Sequence, residues 1–163
     1  MEILILGLIL VALMVWASTK IKKNVAQAYE REVIDNADFS LVKPDGFLHV
    51  LNGDPKFAFE AYSKEFGKDE NNGVRQARAT IRHIENTTAK KVSDDARRNL
   101  SEPETEGSYV SGLKSEGDAV FEIFHKIIAK NGGVFDLEVS VLHDYADEQT
   151  ANVHELLDSF QVK

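Results

Sequence analysis

Residues Ile3 to Thr19 read ILILGLILVALMVWAST, seventeen positions without a charge. A helix of that length spans roughly 25 Å at about 1.5 Å per residue. That lies at the short end of what crosses a hydrocarbon core of about 30 Å. Lys20, Lys22 and Lys23 follow directly and can extend the span, with their stems in lipid and their amines among head groups. Trp16 sits close to that end, where an indole suits the interface. The segment therefore predicts a single-pass N-terminal transmembrane helix in contact with the lipid bilayer.

A cleaved signal peptide is the competing reading. It requires a basic n-region and a small-residue cleavage site, whereas Glu2 follows Met1 here and Ala17-Ser18-Thr19 matches such a site only loosely. An uncleaved anchor is preferred. With the basic cluster on its C-terminal flank, the positive-inside rule puts the remaining chain on the cytoplasmic side of a cell (inner) membrane. The signal reading would place it extracytoplasmically.

Beyond the anchor, Lys20 to Ile34 lacks Gly and Pro and is rich in helix formers. It predicts a charged stalk, with Ile21, Val25 and Ala28 on one face. The expected organisation is an anchor with basic flank over 1–23, a helical stalk or linker over 24–37, and one domain over 38–163.

That domain shows the alternation of half-buried antiparallel strands. Phe39 and Leu41 alternate with polar neighbours ahead of a Pro44-Asp45-Gly46 turn. A second turn at Asn52–Pro55 precedes a long strand carrying Phe57, Phe59 and Ala61 on one side. After a polar loop, Gly67 to Gly73, Ala77, Ala79 and Ile81 face inward while Gln76, Arg78, Thr80 and Arg82 face out. Ser93 is the expected cap of a short helix ending at Arg97 and Arg98, with Thr88 as the alternative. Ser101 to Gly107 reads as an acidic loop, and Tyr109 to Lys114 as a strand. AVFEIFHKII (119–128) and VFDLEVSVL (134–142), joined by Asn131-Gly132-Gly133, form the strongest hairpin signal. Asp144 or Asp147 is expected to cap a final helix, whose Val153, Leu156, Leu157 and Phe160 make a core-facing stripe. The fold class is α+β: five or six antiparallel strands packed with a short helix and a C-terminal helix.

The order FSLVKPDGF, AVFEIFHK…VFDLEVSVL and a closing LLDSFQV resembles a PsbP-like α/β sandwich over residues 38–162, with Leu-Asp-Ser-Phe as the local match. PsbP-like proteins are generally non-catalytic subunits or assembly factors of membrane complexes. The resemblance implies an accessory role here, with a membrane protein complex as partner. No functional residue is carried over from it.

Motifs for chemistry are missing. With no cysteine, thiolate catalysis and zinc–thiolate sites are excluded. His49, His83, His125, His143 and His154 fall in no ligand spacing. Ser111-Gly-Leu-Lys114 and Ser40-Leu-Val-Lys43 match S-x-x-K without its companion motifs, and no phosphate-cradling glycine motif occurs. No catalytic residue, metal or cofactor is assigned. The alternative is a small-molecule-binding or hydrolytic domain whose residues converge only in three dimensions.

Charge is the remaining signal. The net charge of −8 arises entirely beyond residue 35, which makes nucleic acid an unsuitable partner. Residues 74–98 hold seven bases against three acids, whereas 99–163 hold four against thirteen. Arg75, Arg78, Arg82, Lys90, Lys91, Arg97 and Arg98 are thus the candidate contacts for an acidic partner or for anionic lipid head groups.

Overall fold

The computed structural model describes residues 2–68, 73–130 and 132–163, and their side chains apart from those of 2–9, 22 and 24. Helix α1 (Glu2–Ala28) leads into the domain. There follow strands β1 (Glu32–Asp35), β2 (Phe39–Lys43), β3 (Phe47–His49), β4 (Phe59–Ser63) and β5 (Ala77–Glu85), then helix α2 (Ala89–Arg98). Strands β6 (Ser101–Glu106), β7 (Tyr109–Glu116), β8 (Ala119–Lys130) and β9 (Gly133–Leu142) lead through one 3-10 turn to helix α3 (Ala146–Ser159) and a two-residue strand β10 (Gln161–Val162).

Two sheets result. The larger has the order β3-β4-β5-β9-β8-β7-β6, and the smaller β1-β2-β10. Every pairing within them is antiparallel. One face of the large sheet packs against the small sheet and α3, burying Phe39, Leu41, Ile81, Leu137, Val139, Leu156, Leu157 and Phe160. The other face carries α2 across β6 to β9. The apolar positions expected to face inward on β2, β5 and β9 and the stripe on α3 all reach the core, because period-2 and period-3.6 apolar residues have only one way to share it.

The described residues do not support the transmembrane helix, and several other expectations are corrected. Among the described residues no helix is long and apolar enough to cross a membrane. The described apolar side chains of α1 begin at Leu10 and give way to Lys20, and the earlier part of the uncharged run lies outside the described side chains, as does Lys22. The stalk helix stops at Ala28, and 32–35 is an edge strand rather than helix. Among the described residues ten strands replace five or six. The long strand after the second turn is the five-residue β4, and residues 69–72 of the loop that follows, like Asn131, lie outside the described residues. Ser101–Glu106 is a strand, exposed along its whole length. Thr88, not Ser93, caps α2, its Oγ1 accepting from the Lys91 N–H at 3.3 Å. Neither Asp144 nor Asp147 caps α3, whose N-cap position is Tyr145. Gln76 and Thr80, expected outside, are buried, and so is Asp136; Gln76 accepts from Gln149 Nε2 of α3 at 3.1 Å, and Asp136 is enclosed by Arg82 and His125.

Lys43 shows how α1 joins the domain. Its side chain is 0% exposed. Its Nζ donates to the carbonyls of Ala28, at the end of α1, of Glu30, and of Phe47 at 2.7 Å. It thus supplies donors to carbonyls that the helix end leaves open. Burial pushes the ammonium pKa below its usual value, against the opposing charges of Glu32, Asp45 and Glu30. Beside it, Gly46 sits at φ +80°, where a side chain would be strained.

Candidate functional site

Strand β5 turns Ala77, Ala79 and Ile81 into the core, so Arg78 and Arg82 point to the opposite face. Since α2 covers only the β6–β9 side, the β4–β5 half of that face has no helix over it. Arg75 and Arg78 lie there and Arg82 lies at its boundary with α2, each held in a different way. Arg75 precedes the strand and forms an isolated bridge with Phe66. Its Nη1 donates to the carbonyls of Ser63 and Lys64 at 3.2 and 2.6 Å. Its guanidinium stacks 3.7 Å from the Phe66 ring centre and 4.6 Å from that of Tyr62. Arg78 donates through Nε and Nη2 to one oxygen of Glu60 at 3.0 and 2.6 Å, beside the Phe57 ring.

Arg82 belongs to a charged network. Its Nη2 lies 2.8 Å from Asp136 Oδ2 and 3.6 Å from Glu138 Oε2. The other Asp136 oxygen accepts from His125 Nδ1 at 2.9 Å, and His125 Nε2 faces Glu138 at 3.8 Å. Burial raises the Asp136 pKa. The hydrogen bonds and charges of His125 and Arg82 outweigh it, and hold the carboxyl below the usual range. The network forms part of the floor of a cleft of about 690 Å³ beneath α2, also lined by Lys91, Asp95, Asn99 and Lys114.

The seven bases singled out from the sequence therefore divide. Arg75 and Arg78 share the uncovered half-face, and Arg82 lines the cleft under α2 at its border. Lys90, Lys91, Arg97 and Arg98 sit on α2, with Arg97 bonded to Thr105 Oγ1 at 2.6 Å and Arg98 to Asp95. Among the described residues, Arg75, Lys90, Lys91 and Arg97 have no carboxylate partner within ion-pair distance. On α1, Trp16 is exposed and Lys20 Nζ lies 5.0 Å over its ring, while Lys23 is exposed.

Sequence reasoning missed the aromatic partners and the His125–Asp136 pair. The hairpin register contains the signal for the pair: His125 stands opposite Glu138 and Ile127 opposite Asp136, so His125 and Asp136 are diagonal neighbours on one face. Among the described residues, no group of three or more His, Asp or Glu side chains is arranged to hold a metal.

No family model matches the chain, and no curated protein matches it by sequence. Solved structures do match. The Mog1 E65A mutant aligns with a TM-score of 0.51 at 11% identity, over 82% of this chain and 96% of that one. LpqN of Mycobacterium tuberculosis, involved in cell envelope biogenesis, aligns at 0.51 and 13% identity over 82% and 91%. Cyanobacterial PsbP from Synechocystis sp. aligns at 0.47 and 13% identity over 83% and 94%. The resemblance to the PsbP-like α/β sandwich holds, since Mog1 and LpqN share that fold. At these identities the likeness is one of fold.

Proposed function

We propose that this chain is a non-catalytic accessory subunit, anchored by α1 in the cell (inner) membrane, whose domain binds a protein of a membrane complex. The arginine–aromatic half-face on β4 and β5 would take an acidic segment of that partner. One observation carries this reading: Arg75, on the open half-face, is fixed by carbonyls and two aromatic rings while its charge has no carboxylate partner among the described residues. Arginine set among aromatics is the composition of energetically dominant interface positions. The PsbP-like resemblance supports the accessory role. The uncharged run from Ile3 to Thr19 and its lysine flank support the anchor, with the domain on the cytoplasmic side.

A photo-crosslinking residue at Phe66 should capture one membrane protein in intact cells. Arg75→Glu should abolish the adduct, whereas the same crosslinker at Glu104 on β6 should give none. An adduct unaffected by Arg75→Glu would reject the site.

The cleft under α2 supplies the hydrolytic rival with a His–Asp pair. In nucleophilic catalysis the second imidazole nitrogen meets a hydroxyl or thiol. Here it faces Glu138, which favours a structural network.

A further inference from the structure

Between α3 and strands β6 to β9, at the margin of the core, lies a pocket of about 220 Å³. The buried side chains of Val141 and Val153 line it, together with the rings of Tyr109 and Phe124, whose centroids are 6.2 Å apart with planes at 66°. Strand register brings the rings together: Tyr109 stands opposite Lys126 and Ser111 opposite Phe124, which makes the two aromatics diagonal neighbours on one face. Two carboxylates complete the lining. Glu106 is exposed and accepts from the Tyr109 hydroxyl at 3.0 Å, and its other oxygen makes no hydrogen bond among the described residues. Glu122 is half-buried and pairs with His143 Nδ1 at 2.8 Å. None of the described lining residues is a lysine or arginine, and only the exposed His154 can take a positive charge. The acidic excess of residues 99–163, thirteen acids to four bases, is thus presented around an aromatic pocket. The phenol registers that field: burial, the hydrogen bond and charge of Glu106, and the charge of Asp158 raise the Tyr109 pKa above its ordinary value.

We propose that this pocket binds the trimethylammonium group of a small choline-like cation. At about 220 Å³ it is smaller than the roughly 300–1,000 Å³ of drug-sized sites, so it admits one compact group. Aromatic faces attract a cation held within about 6 Å of the ring centroid, and the methyl groups give Val141 and Val153 an apolar surface to meet. Glu106 and Glu122 balance the charge without needing an N–H. A primary ammonium would carry three N–H donors to valines and aromatic rings, where unmet donors are costly. A neutral group of the same shape forgoes the attraction of the rings and carboxylates. A phosphate or carboxylate on the same molecule would meet the two glutamates, so the ligand is a cation overall and not a zwitterion. The proposal depends neither on the anchor nor on the Arg75 face.

Titrating the full chain in a maltoside detergent with choline, following the ring signals of labelled tyrosine by NMR, tests this. Choline should shift the Tyr109 signal saturably. Its affinity should exceed those of ethanolamine, of the neutral isostere 3,3-dimethylbutanol and of phosphocholine roughly tenfold. Tyr109→Leu, followed by calorimetry, should weaken choline binding by about tenfold, the worth of one desolvated cation–aromatic contact. Tyr109→Phe keeps the ring and should retain most of the affinity, and Glu106→Gln should lower it several-fold. Circular dichroism would verify that the variants keep the fold. Absence of a saturable shift at millimolar choline, equal binding of 3,3-dimethylbutanol or ethanolamine, phosphocholine binding as tightly as choline, or full affinity in a folded Tyr109→Leu variant would overturn the proposal.

Discussion

Asp136 occupies a position that strand alternation assigns to solvent, yet it is 1% exposed. A carboxylate is tolerated there because His125 and Arg82 satisfy both of its oxygens. Asp136→Ala should lower stability by about 3 kcal/mol, read from urea unfolding, since it strands partly desolvated partners. The pH dependence has a definite sign. The folded pKa lies below the unfolded one, so the unfolded chain binds the proton more readily. The contribution is complete above the ordinary carboxylate range near about 4 and is lost as pH falls through the depressed folded value. Urea titrations from neutral pH into acid should therefore show a steeper loss for the wild type than for Asp136→Asn. Lys43 makes the same point with opposite charge. Lys43→Met leaves three carbonyls without their donor and should cost roughly 3 kcal/mol, at about 1 kcal/mol each. A thermal melt followed at the α1–domain junction would report it. Neither environment could be placed from the sequence: Lys43 falls in phase with the inward Phe39 and Leu41, and its three acceptors are backbone atoms.

At the scale of elements, legibility followed apolar periodicity. The hairpin of β8 and β9 and the stripe on α3 were readable because each commits four or more apolar residues to one face. Strand β6 was not, because SEPETE contains no aliphatic or aromatic residue and meets β7 through its backbone and one Tyr109–Glu106 hydrogen bond. The start of α2 was ambiguous, since Thr88 and Ser93 are both capable caps, and the outcome depended on where Val92 and Ala96 reach the sheet. Thr88→Ala should cost about 1 kcal/mol, whereas Ser93→Ala should stay within about 0.5 kcal/mol; equilibrium denaturation of the two variants distinguishes them. Gly112 on β7 is another element-level constraint. A Cβ there would stand 2.9 Å from both Leu100 Cβ and the Ser101 carbonyl. Gly112→Ala should therefore destabilise the contact of β7 with Leu100 and the start of β6 by about 1–3 kcal/mol, measurable in the same unfolding experiment.

For the whole molecule, the α+β class and the PsbP-like likeness were legible, while the division into two sheets was not. Sheet membership depends on β1 and β10, four and two residues long, too short to carry a pattern. The basic segment 74–98 was legible as a charge run but not as a surface. Folding pairs Arg78 with Glu60, Arg82 with Asp136 and Arg98 with Asp95, and keeps Arg75 for the open half-face. Association through that face should accordingly be more sensitive to Arg75→Glu than to Lys90→Glu on α2. It should also weaken as salt is raised from 0.05 to about 0.5 M, since exposed charges are screened over shorter distances. Crosslinking yield across a salt series checks both.

The acidic edge of the large sheet has a consequence for assembly. Strand β6 breaks register between Ser101 and Glu104, holds Glu102 at φ +51°, and carries Pro103 and three glutamates, all exposed. Such an edge cannot template another strand: proline removes a donor, the bulge misaligns the rest, and like charges repel an incoming copy. Copies confined to a plane would collide far more often than in dilute solution, and edge-to-edge polymerisation is the hazard of that crowding. The same six residues that concealed a strand from the sequence reading would let many copies lie side by side without joining into a fibril.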